Sequence, residues 1–411
     1  MNILLINHYA GSNLHGMEYR PYYLAKEWVK NGHNVTIIAA SHSHIRTVQP
    51  DLKEDWQEEI LDGIKYIWVR TPPYEGNGVK RIINMMVFLK ALWQKADSLA
   101  KTIQPDAVIA SSTYPLDIYP ARKIAKKAGA KLLFEVHDLW PLSPMELGNM
   151  SPYHPFIMVM QKGENDAYRF ADEVISLLPK ADQHMIAHGM KPEKFHYLPN
   201  GIDQEQWEES SELIPAEHQS VIDQLKNEGK FLIGYAGTHG IANALEYVIE
   251  AAEQLKDEPV SFVMVGKGPE REQLVNEVKE KDLKNIHFLP VINKKAIPDF
   301  LSKMDALYIG WRRSSLYRFG VSPNKLLDYL MAAKPIIHGI EAGNDLVAES
   351  GAGISIPPED PKRVAEAVKK MLSLPASELH QMGQNGKKFV TSTHDYKIIA
   401  KKFSDIMSKH Q

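Results

Sequence analysis

Short apolar runs recur along this chain, each followed by an amphipathic stretch, and that alternation confines it to α/β architectures. Residues 3–6 read as a strand, and a glycine-bearing loop from Gly11 to Gly16 follows them. An amphipathic helix then spans 19–30, Gly32 ends it, and 35–39 is the next strand. Further strand-like runs lie at 64–69, 107–110, 131–135, 173–176 and 196–198. Helical stretches lie between several of them, and alternation of this kind predicts a parallel sheet covered on both faces.

A second series begins at 231–235. Its strands are expected at 261–265, 286–288, 306–309 and 335–337, and its helices at 244–255, 269–281, 324–333 and 361–372. Residues 204–229 are polar and acidic and read as a linker. A chain of 411 residues exceeds what one core ordinarily supports. The expectation is two doubly wound domains, 1–203 and 204–392, the first completed by a terminal helix at 393–411.

Composition excludes several classes. The net charge of −3 leaves no general electrostatic footprint for nucleic acid. The absence of cysteine removes disulfides, thiolate nucleophiles and cysteine zinc sites, and fits a cytoplasmic setting. The first residues, Met-Asn-Ile-Leu-Leu-Ile-Asn, lack the basic start and cleavage site of a signal peptide. No apolar run approaches the roughly 20 residues that span a bilayer. Membrane contact would therefore be peripheral. Residues 80–93 combine a broad apolar face with flanking lysine and arginine; such a helix suits either core packing or an anionic membrane surface.

The most informative segment runs Phe319-Gly-Val-Ser-Pro-Asn-Lys-Leu-Leu-Asp-Tyr-Leu-Met-Ala-Ala-Lys-Pro335. Pro323 suits the start of a helix. Ser322, Asn324 and Lys325 then sit where free N–H groups and the positive dipole end favour phosphate. Asp328 follows one turn along, placed to accept from ribose hydroxyls. An ordinary capped helix with a solvated Lys–Asp pair is the competing reading.

This segment resembles the donor-site motif of family 4 glycosyltransferases of the GT-B fold, which ends in Glu-Ala-Met-Ala-x-Gly-x-Pro. The resemblance puts the ribose-binding acid on Asp328 and the family glycine on Ala333. The family's usual sugar-contacting glutamate falls on Gly320, so the donor sugar is not legible here. A subgroup carrying Ser-Pro-Asn-Lys-Leu shares that departure; it is assigned to L-fucosamine and other amino-sugar transfer in capsule and O-antigen pathways. The resemblance spans nearly the whole chain. Tyr235-Ala-Gly-Thr-His-Gly240 is similar to the loop opening the second domain, implicating Gly237 and Thr238. Val265-Gly-Lys-Gly-Pro269 resembles the turn that approaches the nucleotide, implicating Gly266 and Gly268. Leu198-Pro-Asn-Gly-Ile-Asp203 matches the family's Pro-Asn-Gly-Val-Asp.

In the first half, Phe134-Glu-Val-His-Asp-Leu-Trp-Pro141 ends a strand in His-Asp, where α/β sheets place ligand contacts. His137 matches the family histidine that contacts the donor sugar, and Asp138 supports it or shapes the acceptor side. The loop from Gly11 to Gly16 lacks the tight Gly-Gly common in the family, so a larger, more mobile loop is expected. Glu18 and Arg20 follow it as acceptor candidates, with a surface ion pair as the bland alternative.

The resemblance implies transfer from a nucleoside diphosphate sugar, here a UDP-N-acetylamino sugar, with retention of configuration. The acceptor expected is a polyprenyl-diphosphate-linked saccharide at the inner face of the plasma membrane. It also implies a donor site divided between two facing domains. No Asp-x-Asp occurs, so no metal or other cofactor is expected, and Lys325, Arg318 and Arg312 are candidates to neutralise the diphosphate. A UDP-sugar 2-epimerase of the same fold and a non-catalytic nucleotide-sugar-binding scaffold are the alternatives.

Overall fold

Both series of strands form sheets in the computed structural model, which describes residues 1–76, 78–209 and 212–408. The chain divides into two units, Met1–Asn200 with Tyr396–Gln411, and Gly201–Asp395. The first unit ends at Asn200 where the sequence suggests Asp203, and the returning helix starts at Tyr396. The last residues of the expected 393–411 helix, 409–411, lie outside the described residues.

The first unit holds strands β1 (Asn2–Ile6), β2 (Asn34–Ala40), β3 (Trp56–Leu61), β4 (Ile64–Val69), β5 (Ala107–Ala110), β6 (Lys131–Val136), β7 (Glu173–Ser176) and β8 (Phe195–Tyr197). They form an eight-stranded sheet in the order β3-β4-β2-β1-β5-β6-β7-β8. Among the described residues, only β3 runs antiparallel to its neighbour in this sheet. β1 and β5 pair directly, so the winding direction reverses between them. The strands that end around this reversal carry ligand loops in open α/β sheets.

The terminal helix Tyr396–Ser408 belongs to this unit because its apolar face completes the core. Tyr396 stacks on Tyr23, Phe403 meets Trp28 edge-on, and the Trp28 indole N–H donates to the Ala400 carbonyl at 3.0 Å. Burying each large apolar side chain stabilises by about 1.5–3 kcal/mol, so this helix contributes materially to the unit's stability.

The second unit holds β9 (Phe231–Ala236), β10 (Val260–Val265), β11 (Ile286–Leu289), β12 (Ala306–Gly310), β13 (Ile336–Gly339) and β14 (Gly353–Ile356). The order β11-β10-β9-β12-β13-β14 is the dinucleotide-binding arrangement, with its reversal between β9 and β12. The loops after β9, β10 and β12 are those singled out in the sequence.

Two expectations need correction. Residues 204–229 are not a linker: helices Gln204–Glu209 and Ala216–Asn227 occupy most of the stretch, and Ser210 and Ser211 lie outside the described residues. Ile222 and Leu225 are buried in the second core, and His218 bonds the Pro290 carbonyl at 2.9 Å. Strand β3 was not anticipated. It is an edge strand whose side chains are half-buried or exposed and never fully buried, joined to β4 through Asp62 and Gly63, both at positive φ.

Candidate functional site

In the second unit, helix Asn324–Met331 begins at Pro323 with no side chain capping it. The N–H groups of its first turn therefore lack intrahelical acceptors. The preceding loop is held by Asn344: its carbonyl oxygen accepts from the Val321 N–H at 2.7 Å, and its amide donates to the Val321 carbonyl at 3.0 Å. Ser322 is half-buried and Asn324 exposed, both at the mouth of this helix start. Gly320, at φ +104, marks the turn leading in.

Lys325 reaches beneath the loop after β9. Its ammonium donates to the Tyr235 hydroxyl and to the Asn243 side-chain oxygen, both at 2.8 Å, and lies over the Tyr235 ring. A Cβ on Gly237 would stand 2.7 Å from that nitrogen, so glycine is what lets lysine and loop coexist. Tyr235 and Asn243 both donate onward to the Thr238 carbonyl, at 2.7 and 3.0 Å, which fixes the loop. Burial without a facing carboxylate lowers the Lys325 pKa to about 7. Among the described residues no carboxylate pairs with the ammonium, and a bound diphosphate would supply a counter-ion.

Asp328 stands half-buried on the same helix. Burial raises its pKa to about 6, against the lowering effect of the Lys294 charge. It is therefore ionised, and an acceptor for hydroxyls, at neutral pH. Gly266 and Gly268 bring the loop after β10 against that after β9: a Cβ on Gly266 would meet the Gly237 oxygen at 1.9 Å, and one on Gly268 the His239 oxygen at 2.2 Å. His239 is buried beside them, and burial, with the Arg271 and Lys325 charges, lowers its pKa to about 4. It stays neutral and adds no positive charge.

The arginines are placed differently from one another. Arg312 is paired with Glu246, stands 3.7 Å from Glu359 and donates to the Ile241 carbonyl. Arg313 is paired with Glu341 and Glu359. Arg312 is thus already neutralised and is a poor phosphate ligand, contrary to expectation. Arg318 is exposed and lies over the Phe319 ring, with a donor on the Ser315 carbonyl.

In the first unit, Glu135 at the end of β6 is a fully buried hub. The Arg20 guanidinium donates to it at 3.0 Å and also to the carbonyls of Leu198 and Pro199. The Ser111 hydroxyl, after β5, donates to the second carboxylate oxygen at 2.6 Å. His137 Nε2 lies 2.9 Å from Ser111 Oγ and 3.2 Å from that same carboxylate. Burial would raise the Glu135 pKa, but Arg20, His137 and Ser111 together hold it down to about 2. With Nε2 turned inward, Nδ1 is the ring nitrogen left for a ligand. Asn7, after β1, donates to the Ser111 carbonyl at 2.7 Å and ties in the third loop.

Arg20 is therefore neither a surface ion pair nor an outward acceptor contact; it is 1% exposed and braces Glu135. Asp138 folds its own loop: one carboxylate oxygen accepts from the Leu139 N–H at 2.9 Å and the Ser143 hydroxyl at 2.8 Å. Burial raises its pKa. The loop from Gly11 to Gly16 is closed rather than loose. Ser12 and Gly16 exchange backbone bonds, Gly11 N–H donates to the Glu18 carbonyl, and a Gly11 Cβ would meet the Gly16 oxygen at 1.8 Å. The Glu18 side chain is half-buried.

The sequence reading brought out Lys325, Asp328 and the glycines, but missed Glu135, Ser111, Tyr235 and Asn243. Glu135 alone left a signal, an acid inside an otherwise apolar strand.

Binding of an anionic ligand at Lys325 raises its pKa and so draws in a proton. Above about pH 7 the free lysine is increasingly neutral. At pH 8 UDP binding is expected to take up a fraction of a proton, and to release progressively less affinity as pH rises further. Calorimetry in two buffers of different ionisation enthalpy reads this; equal heats in both would contradict it.

Comparison with known proteins bears on the family and the fold. Residues 14–206 match the family model described as Glycosyltransferase Family 4, and residues 218–389 that described as Glycosyl transferases group 1. WcaI of Escherichia coli, whose name assigns it to colanic acid biosynthesis as a glycosyl transferase, is 24% identical over 85% of this chain and 87% of its own. An alpha-D-kanosaminyltransferase of Streptomyces kanamyceticus is 24% identical over 52% of this chain and 54% of its own. Among solved structures, sucrose-phosphate synthase of Thermosynechococcus elongatus aligns with a TM-score of 0.70 at 15% identity, over 98% of this chain and 97% of that one. Anabaena HepE, solved with UDP and glucose, aligns at 0.66 and 15% identity over 100% of both chains. Matched in sequence over both halves and folded as two sheets of this order, the chain is a glycosyltransferase of the GT-B fold, built from a family 4 and a group 1 domain.

Proposed function

We propose that the protein moves a sugar from a UDP-N-acetylamino sugar to a hydroxyl of a polyprenyl-linked saccharide in surface polysaccharide biosynthesis, with retention of configuration. The observation that carries the donor assignment is the Lys325 ammonium, buried at an uncapped helix start with no carboxylate against it among the described residues. Asp328 one turn on supplies the ribose acceptor. The name of WcaI and the UDP and glucose bound to HepE support a nucleotide-sugar donor and a polysaccharide product.

The chemistry assigned to these residues needs no enzyme nucleophile. Lys325, the helix start and Arg318 stabilise charge building on the departing diphosphate. That phosphate takes the acceptor proton on the face from which it leaves, which gives retention. His137, braced by Glu135 and Ser111, contacts the sugar, and positioning supplies much of the rate. We infer a metal-independent reaction, so excess chelator should leave initial rates unchanged.

The test is incubation of a panel of UDP-sugars with a polyprenyl-diphosphate saccharide. The reading expects glycosylated lipid with equimolar UDP. An epimer formed without acceptor would assign the chain to the epimerase class, and binding without turnover would make it a scaffold.

The membrane reading concerns the helix Val79–Ile103. Met85, Phe88, Leu89 and Leu92 are buried, while Val79, Ile83, Met86, Val87 and Trp93 are exposed, so the helix packs on the core and also presents an apolar stripe. No helix among the described residues is long and apolar enough to cross a membrane. Ile83→Glu with Met86→Glu is expected to abolish flotation with anionic vesicles while leaving UDP binding intact. Unchanged flotation would remove this helix from the membrane role.

A further inference from the structure

Away from the clusters just described, the first unit brings together Glu164, His184 and His188. Glu164 is on helix Pro155–Phe170, His184 is in helix Asp182–Ala187, and His188 ends that helix. One donor atom from each lies within 4.8 Å of the others. His184 and His188 are one helical turn apart, and their ring centroids are 4.2 Å apart.

The hydrogen bonds already set the ligand atoms. His188 Nδ1 lies 2.8 Å from the His184 carbonyl, which can only accept, so Nδ1 carries the proton and Nε2 the lone pair. A bond of this kind to the far ring nitrogen is what orients metal-binding histidines. Glu164 is 2% exposed, and Tyr168 Oη and Gln161 Nε2 donate to its two oxygens at 2.9 and 2.7 Å. Those donors fix the carboxylate. His184 Nε2 already stands 3.0 Å from Glu164 Oε1. Ligands about 2.0–2.1 Å from a tetrahedral zinc ion are roughly 3.4 Å apart. The pair is near that spacing, and all three donor atoms already lie within 4.8 Å of one another. The alternative is a Glu–His hydrogen bond with a bystander histidine.

We propose that Glu164, His184 and His188 bind a dication of the zinc class, with water as the fourth ligand. Two imidazoles and a carboxylate favour zinc, nickel or cobalt over magnesium or calcium. On binding, His184 shifts its proton from Nε2 to Nδ1 and the ion replaces its bond to Glu164. The ion would clip the helix Pro155–Phe170 to the helix Asp182–Ala187, a structural role that is independent of the transferase reading.

The experiment uses the untagged, chelator-stripped full chain, dialysed against zinc and analysed by elemental mass spectrometry, with cobalt as a spectroscopic probe. The expected result is about one zinc per chain, a melting temperature raised by zinc, and visible bands of tetrahedral cobalt. His188→Ala should lose all three while its circular dichroism is unchanged, because this half-buried ring bonds only its own helix. Gln161→Ala, which leaves the ligands in place, should retain binding. No zinc taken up in excess, or the same uptake by His188→Ala, overturns the proposal.

Discussion

Lys325→Met is expected to cut sugar transfer by about 100- to 1,000-fold, the usual consequence of losing one preorganised donor to developing charge. The same change should leave stability within about 1 kcal/mol. Burying an ammonium without a counter-ion is unfavourable, as its pKa of about 7 records, and methionine removes that cost while losing two hydrogen bonds. A lysine kept for structure would behave in the opposite way, with stability falling and transfer following only as far as unfolding dictates. Initial rates and denaturant midpoints on the same preparations separate the two. Asp328→Asn should weaken donor binding without this loss at the diphosphate, because asparagine retains one acceptor oxygen.

Glu135→Ala is expected to destabilise the first unit by about 3–5 kcal/mol, since it strands the buried Arg20 guanidinium. Arg20→Ala should cost about as much by stranding Glu135. The double change Arg20→Met with Glu135→Leu should cost less than the two single losses added together, as the charges leave as a pair. The pH dependence has a defined sign. The folded pKa of Glu135, about 2, lies below the ordinary carboxylate value, so its contribution is fully present above about pH 4.5 and is lost as pH falls toward 2. Urea midpoints of wild type and Glu135→Ala measured between pH 3 and 7 should therefore converge in acid. A gap that widens in acid would contradict the network's charge state.

Strands buried on both faces were legible because their apolar runs cannot be placed any other way in a doubly wound sheet. β3 escaped because an edge strand with no fully buried residue has no such run, although Asp62-Gly63 is a hairpin signal at its end. Helix Ala216–Asn227 reads as linker in sequence because it buries little beyond His218, Ile222 and Leu225. At the site, Lys325 and Asp328 could be read because a helix start and a one-turn spacing are local properties. Tyr235, Asn243, Ser111 and Glu135 could not, because each acquires its role from a partner brought near by strand order. Arg20 shows the converse: a charged residue beside a loop reads as facing outward, yet the fold supplies a buried carboxylate and two carbonyls to receive it.

The central claim is that Lys325 and the helix start beside it hold the diphosphate of the donor. Titrating UDP and uridine calorimetrically into wild type and Lys325→Met at pH 7 tests it most directly. Wild type should strongly prefer UDP, and Lys325→Met should lose most of that preference while binding uridine as before. Equal UDP affinity in the two proteins would contradict it.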